Sequence, residues 1–150
     1  MKKLAELIDE LESFIKDQQK VNPAISAGSI GWHIEHCLLT IDIVIEALRQ
    51  SVPEEYQPKF HLWKNIVMTS KIIPRGRAKA PRSVRPANDL STESLFRHVV
   101  NCRGQLNVFK TLERNHHFLH PYFGQMNSNQ AVKFLRIHTR HHLKIIKDIA

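Results

Sequence analysis

No apolar run in these 150 residues reaches the roughly 18–20 that a membrane span needs. The longest, around Cys37–Leu48, is broken by Asp42 and Glu46. The first residues do not read as a secretory leader either: Met1-Lys2-Lys3 is basic, but Glu6, Asp9, Glu10 and Glu12 interrupt any apolar stretch behind it. These absences lead to the expectation of a cytoplasmic protein with no membrane partner. Cysteine is scarce. Cys37 and Cys102 stand far apart, each inside a helical pattern and outside any C-x-x-C pair, so both read as reduced core residues. Cys37 directly follows His36, which leaves a place near a site open to it. No stretch alternates apolar and polar residues over a useful strand length, and no internal repeat is visible. Acidic residues are missing from residues 71–88, where Lys71, Arg75, Arg77, Lys79, Arg82 and Arg85 carry most of the net charge of +8. The chain therefore reads as a basic loop on a nearly neutral body.

What remains is helical periodicity. Hydrophobic content of 42% over this length supports one domain, residues 1–150, with its own core. Leu4, Leu7, Ile8, Leu11, Phe14 and Ile15 mark a first helix from about Lys3 to Gln19, and Asn22-Pro23 ends that segment. A second helix starts near Ser26–Ser29 and runs to about Gln50, with Pro53 behind it. Only Glu35, Asp42, Glu46 and Arg49 give it a wet edge, so it should be the most buried helix. A short helix is expected from Pro58 to Thr69. Pro74, Pro81 and Pro86 then mark an extended surface segment. Asp89 or Ser91 caps the next helix, which runs through Leu95, Val99, Cys102, Leu106 and Phe109 to about Asn115. His120-Pro121-Tyr122-Phe123-Gly124 reads as a turn. Asn127 with Gln130 resembles a capping box opening a last helix that ends at Ile149. The sum predicts an all-α four-helix bundle with a short extra helix and a long basic loop.

The last helix carries the chemistry. Ala131, Phe134, Leu135, Ile145 and Ile149 share an arc about 100° wide with His138 and His142. Imidazoles four residues apart on one face can converge on one ion. His33 and His36, about 60° apart on the second helix, each offer a third. Three histidines leave a metal with an open position, as in a catalytic centre. Such a neutral donor set suits zinc, nickel, iron or copper. It would let the ion generate hydroxide for hydrolysis or thiolate for transfer. No carboxylate among these candidates points to a general base, and Glu35 lies about 100° round the helix from His36.

These segments resemble the DinB/YfiT-like superfamily of metal-dependent enzymes, nearest to a branch without an assigned function. The resemblance rests on Ser29-Ile30-Gly31-Trp32-His33-Ile34-Glu35-His36, the Pro74-Arg75-Gly76 to Pro81 loop, His120-Pro121-Tyr122-Phe123-Gly124 and His138 to Leu143, in that order. It implies a bundle in up-down-down-up order, a homodimer, and a divalent ion (zinc, nickel or iron) on His36, His138 and His142. Relatives of that kind are thiol-dependent transferases, isomerases and hydrolases.

His33, His120 and His141 are then the candidates to line a catalytic pocket, with Trp32 either a core aromatic or a substrate platform. His61, His98, His116 and His117 read as surface or helix-edge residues. The basic loop has three readings: a solvated connection, a lid whose Arg75, Arg77 and Arg82 bind an anionic small molecule or thiol, or a nucleic-acid contact. The last is weakest, because no helix-turn-helix or zinc-finger pattern accompanies it. Two functions compete with the metalloenzyme: a non-catalytic helical binding module with a vestigial metal site, and a nucleic-acid-binding protein acting through residues 71–88.

Overall fold

Leu4, Leu7, Ile8 and Leu11 recur at helical spacing, and α1 forms over Leu4–Ser13 with all four buried. It is shorter than its sequence pattern. The chain leaves the helix at Phe14, and a 3₁₀ turn over Ile15–Asp17 delivers Ile15 to the same core. The computed structural model describes residues 3–76, 79–86 and 90–150. α2 spans Ile30–Gln50, and the Ser29 hydroxyl accepts the Trp32 N–H at 3.1 Å as its N-cap. Its buried residues occupy most of its circumference.

α3 covers Leu62–Ser70 and stops at Lys71, which adopts a left-handed conformation with φ 59°. The basic loop follows, with one 3₁₀ turn over Arg82–Val84 that buries Val84. α4 covers Thr92–Gln105. Its cap is Ser91, whose hydroxyl accepts the Ser94 N–H. The other candidate cap, Asp89, lies outside the described residues. α4 passes into a 3₁₀ turn over Leu106–Lys110, so the α-helix is shorter than its pattern at this end as well. α5 covers Ser128–Ile149, opened by the capping box of Asn127 and Gln130.

The expected all-α four-helix bundle, with its up-down-down-up order, is corrected here. The described residues form five helices and a two-stranded antiparallel sheet, β1 over His117–His120 and β2 over Gly124–Asn127. His120 pairs with Gly124 across Pro121, Tyr122 and Phe123, and Gly124 takes the positive φ (65°) that such a turn requires. The His61 ring fills the place where a Cβ on Gly124 would stand, a second reason for glycine there. The strands escape a periodicity reading because each is four residues long. Only the cross-strand pair Phe118 and Met126 and the last residue, Asn127, are buried.

α2 packs against α5 and α4, and α1 against the same two helices. β1 lies against α2, and both strands against α5. The core runs from Leu7, Ile8 and Leu11 through Ile34, Leu38, Ile41 and Ile45 to Leu135 and Ile146. None of the helices among the described residues is long and apolar enough to cross a membrane.

Candidate metal centre

α5 presents His138 and His142 one turn apart toward α2, where His36 meets them. One ring nitrogen from each lies within 4.8 Å of the other two. His36 Nε2 stands 3.2 Å from His138 Nε2. On its other side, His36 Nδ1 lies 2.7 Å from the Val84 carbonyl. A carbonyl only accepts, so Nδ1 carries the proton. A neutral ring then has a bare lone pair on Nε2, facing His138. A carbonyl fixing the tautomer of a ligating histidine is the usual support of a metal site.

His33 takes a different part. Its Nδ1 is 2.9 Å from His142 Nδ1, and its Nε2 is 3.0 Å from the Ser26 hydroxyl. The side chain is buried, and both nitrogens are used within the protein. Trp32 stacks on His36 at 5.0 Å between centroids, with 16° between the planes, and so holds that ring flat.

The rings are neutral because they are buried together. Burial lowers His36, against a partial lift from the Val84 hydrogen bond. Burial, then the neighbouring imidazoles, push His138 and His142 well below the ordinary histidine value. His33 falls to about 4 by burial and the nearness of His36 and His141, and His141 falls to about 4 by burial and Arg75. A neutral imidazole can give its lone pair to a metal; an imidazolium cannot. The buried His138 Nδ1 has no hydrogen-bond partner, which costs free energy unless something else rewards the arrangement. The donor set, three neutral imidazoles converging from two helices, fits a bound divalent ion.

A cavity of about 680 Å³ opens over the cluster. Its walls are mostly apolar, including Ile43, Ile73, Phe118, Phe123 and Phe134. His120 and His141 line it as well. His120 Nδ1 accepts the Tyr122 N–H at 3.1 Å, and its ring stacks on Phe123 at 4.4 Å. The histidine thus serves the turn and the cavity wall together. Burial lowers it to about 4, leaving a neutral ring with its proton on Nε2.

Described residues of the basic loop form part of the cavity wall. Pro74, Arg75, Lys79 and Val84 belong to its lining. Arg75 also pairs with Asp148 at 2.6 Å. Arg82 is exposed and is not among the lining residues, and Arg77 lies outside the described residues.

A second polar cluster sits between α2 and α4. His98, expected at a helix edge, lies between two carboxylates: Nδ1 to Glu35 Oε2 and Nε2 to Asp42 Oδ2, both 2.9 Å. Cys102 points its Sγ at Asp42 Oδ1, 3.0 Å away. The signal was present in the spacing. His98 and Cys102 are one turn apart on α4, and Glu35 and Asp42 two turns apart on α2. His116 Nδ1 donates to the Leu48 carbonyl in the last turn of α2, at 2.9 Å. No protein-family model, curated protein or solved structure matches this chain.

Proposed function

We propose that this chain is a metal-dependent enzyme of the DinB/YfiT-like kind, with His36, His138 and His142 holding one divalent ion: zinc, nickel or iron. One observation carries the reading. Three neutral imidazoles, with no carboxylate among them, converge beneath an apolar cavity large enough for a small molecule. An ion on three neutral ligands keeps its full charge and lowers the pKa of water or a thiol, which suits hydrolysis or thiol transfer.

The chain's own residues prepare the site for that chemistry. The Val84 carbonyl holds the His36 proton on Nδ1, and His33 with Ser26 orients His142. Trp32, Phe118, Phe123 and Phe134 keep water from much of the wall. His120 presents an N–H that a substrate oxygen can accept. Arg75 and Lys79 give one part of the lining positive charge, which suits an anionic group on an otherwise apolar substrate. A homodimer and a cytoplasmic location belong to the same reading. The exposed Phe60, Leu62 and Trp63 at the start of α3 supply apolar surface for a second copy.

The test is elemental analysis of protein purified without a polyhistidine tag, paired with a screen of thiol-transfer and hydrolysis reactions. At least one equivalent of ion per chain is expected, with one equivalent fewer in His142→Ala and activity lost to a chelator. Unchanged metal content in His142→Ala, or chelator-insensitive turnover, overturns the reading and leaves a helical binding module.

A further inference from the structure

Cys102 is fully buried, yet its sulfur faces a polar cluster rather than the apolar core that surrounds Cys37. Asp42 from α2 and His98 and Cys102 from α4 bring an oxygen, a nitrogen and a sulfur within 4.8 Å of one another. Glu35 holds the far nitrogen of His98 at 2.9 Å. That is the carboxylate–histidine arrangement that orients a ligating imidazole. Gln105, one turn past Cys102, donates to Asp42 Oδ1 at 3.2 Å and steadies the carboxylate. The side chains of His98 and Asp42 are 15% and 32% exposed, so an ion can reach the cluster from solvent while the sulfur stays inside.

We propose that Asp42, His98 and Cys102 form a second metal site, independent of the three-histidine centre, for a borderline-soft divalent ion of the zinc class. Softness follows from the donors. A thiolate and an imidazole select such ions over magnesium or calcium. Helix spacing gives the site its shape: His98 and Cys102 are i, i+4 on α4, and Asp42 closes the third side across the α2–α4 contact. Charge balance is favourable. Without an ion, the histidine between two carboxylates is a cation and Cys102 a thiol. Binding sends the Nε2 proton and the thiol proton to solvent. One divalent ion replaces two protons, so the cluster's net charge is unchanged. Glu35 keeps the Nδ1 proton throughout. Occupied, the site ties α2 to α4 and leaves at least one position open to solvent.

Cobalt(II) titration of the full chain tests this, because only a thiolate ligand gives an intense near-ultraviolet charge-transfer band. Wild-type protein should develop that band, and zinc should quench it. Cys102→Ser should abolish it, while Cys37→Ser and His142→Ala retain it. Glu35→Gln, which removes only the orienting carboxylate, should keep the band and weaken cobalt binding about 10–100-fold. A folded wild-type protein that binds cobalt without a thiolate band, or not at all, overturns the proposal and leaves an ion pair. A band that survives Cys102→Ser overturns it as well. The three-histidine reading is tested separately, since His142→Ala removes that centre and leaves this one intact.

Discussion

The two faces of α2 put histidine to opposite uses. On the α5 side, five imidazoles (His33, His36, His138, His141 and His142) gather, and burial keeps them neutral, helped at His33, His138 and His142 by the neighbouring rings and at His141 by Arg75. On the α4 side, one imidazole sits between two carboxylates. Burial pulls His98 down, but its hydrogen bonds to Asp42 and Glu35 outweigh that and carry it up to about 12. The difference comes from partners more than from depth. Where the neighbours are other histidines, each ring keeps a lone pair to offer an ion. Where they are carboxylates, the ring holds its proton until something with more charge displaces it.

The comparison breaks most sharply at His142 and His98. His142→Ala should reduce the ion content at the α5 face from one equivalent to none, read by elemental analysis. The circular dichroism of the helices should stay, because Ile8, Leu38 and Ile146 form a core that does not need the ion. His98→Ala should instead cost stability, because it leaves Glu35 and Asp42 facing each other with no cation between them. About 2–3 kcal/mol is expected in urea unfolding, below the 3–5 of fully buried pairs because the cluster is partly exposed. Adding Asp42→Asn should recover part of it. If His98→Ala is neutral and His142→Ala unfolds the chain, the roles of the two faces are reversed. Leu135→Ala gives the scale of a pure packing loss: the side chain is fully buried, and 2–5 kcal/mol is expected.

Much of the α5 face was legible in the sequence, because its signals are local. The Asn127–Gln130 capping box, the apolar arc of α5 and the pair at i, i+4 all lie within one helix. The α4 face was not read, though the same spacing rule applies to His98 and Cys102. Its meaning depends on which helix faces α4, and in the sequence alone Glu35 and Asp42 read as a wet edge. The hairpin was hidden for another reason. Four-residue strands that bury only Phe118, Met126 and Asn127 carry too little pattern to be seen, yet they bring His120 to the cavity. Arg82 shows the opposite failure: charge in a loop says nothing about which side chain faces a pocket.

His120 sharpens the comparison through pH. Its ring is enclosed by Phe118, Phe123 and Phe134, and its charge would act on His138 of α5. Burial lowers its folded value from 6.5 to about 4. The unfolded chain therefore binds the proton first. Stability from this residue is fully present above about 6.5 and is lost as pH falls through that window toward 4. A loss on the order of 3–4 kcal/mol across the window follows from about 1.4 per pH unit. His120→Phe keeps the stacking on Phe123 and should flatten that part of the stability–pH curve. A curve of unchanged slope would mean that the ring charges freely in the folded protein.

The smallest effect separates an anion-binding loop from a solvated one. Arg75 lines the cavity, but its guanidinium is held by Asp148, with both side chains nearly half exposed. A pair that open contributes under about 1 kcal/mol, so Asp148→Asn should leave stability almost unchanged. It should also free Arg75 toward the cavity. If the pocket takes an anionic ligand, affinity should rise about 2–5-fold in Asp148→Asn, a shift of under 1 kcal/mol. It should fall in the triple neutralisation of Arg75, Arg77 and Arg82. Both changes should shrink as salt shortens the Debye length from about 30 Å at 0.01 M to about 8 Å at 0.15 M. Binding of a carboxylate-bearing probe, followed by calorimetry at the two ionic strengths, reads the effect. Metal content should stay constant, since the three donors are His36, His138 and His142. Affinity that ignores both substitutions would assign the lining's selectivity to its apolar walls alone, and the loop's charge to solvent.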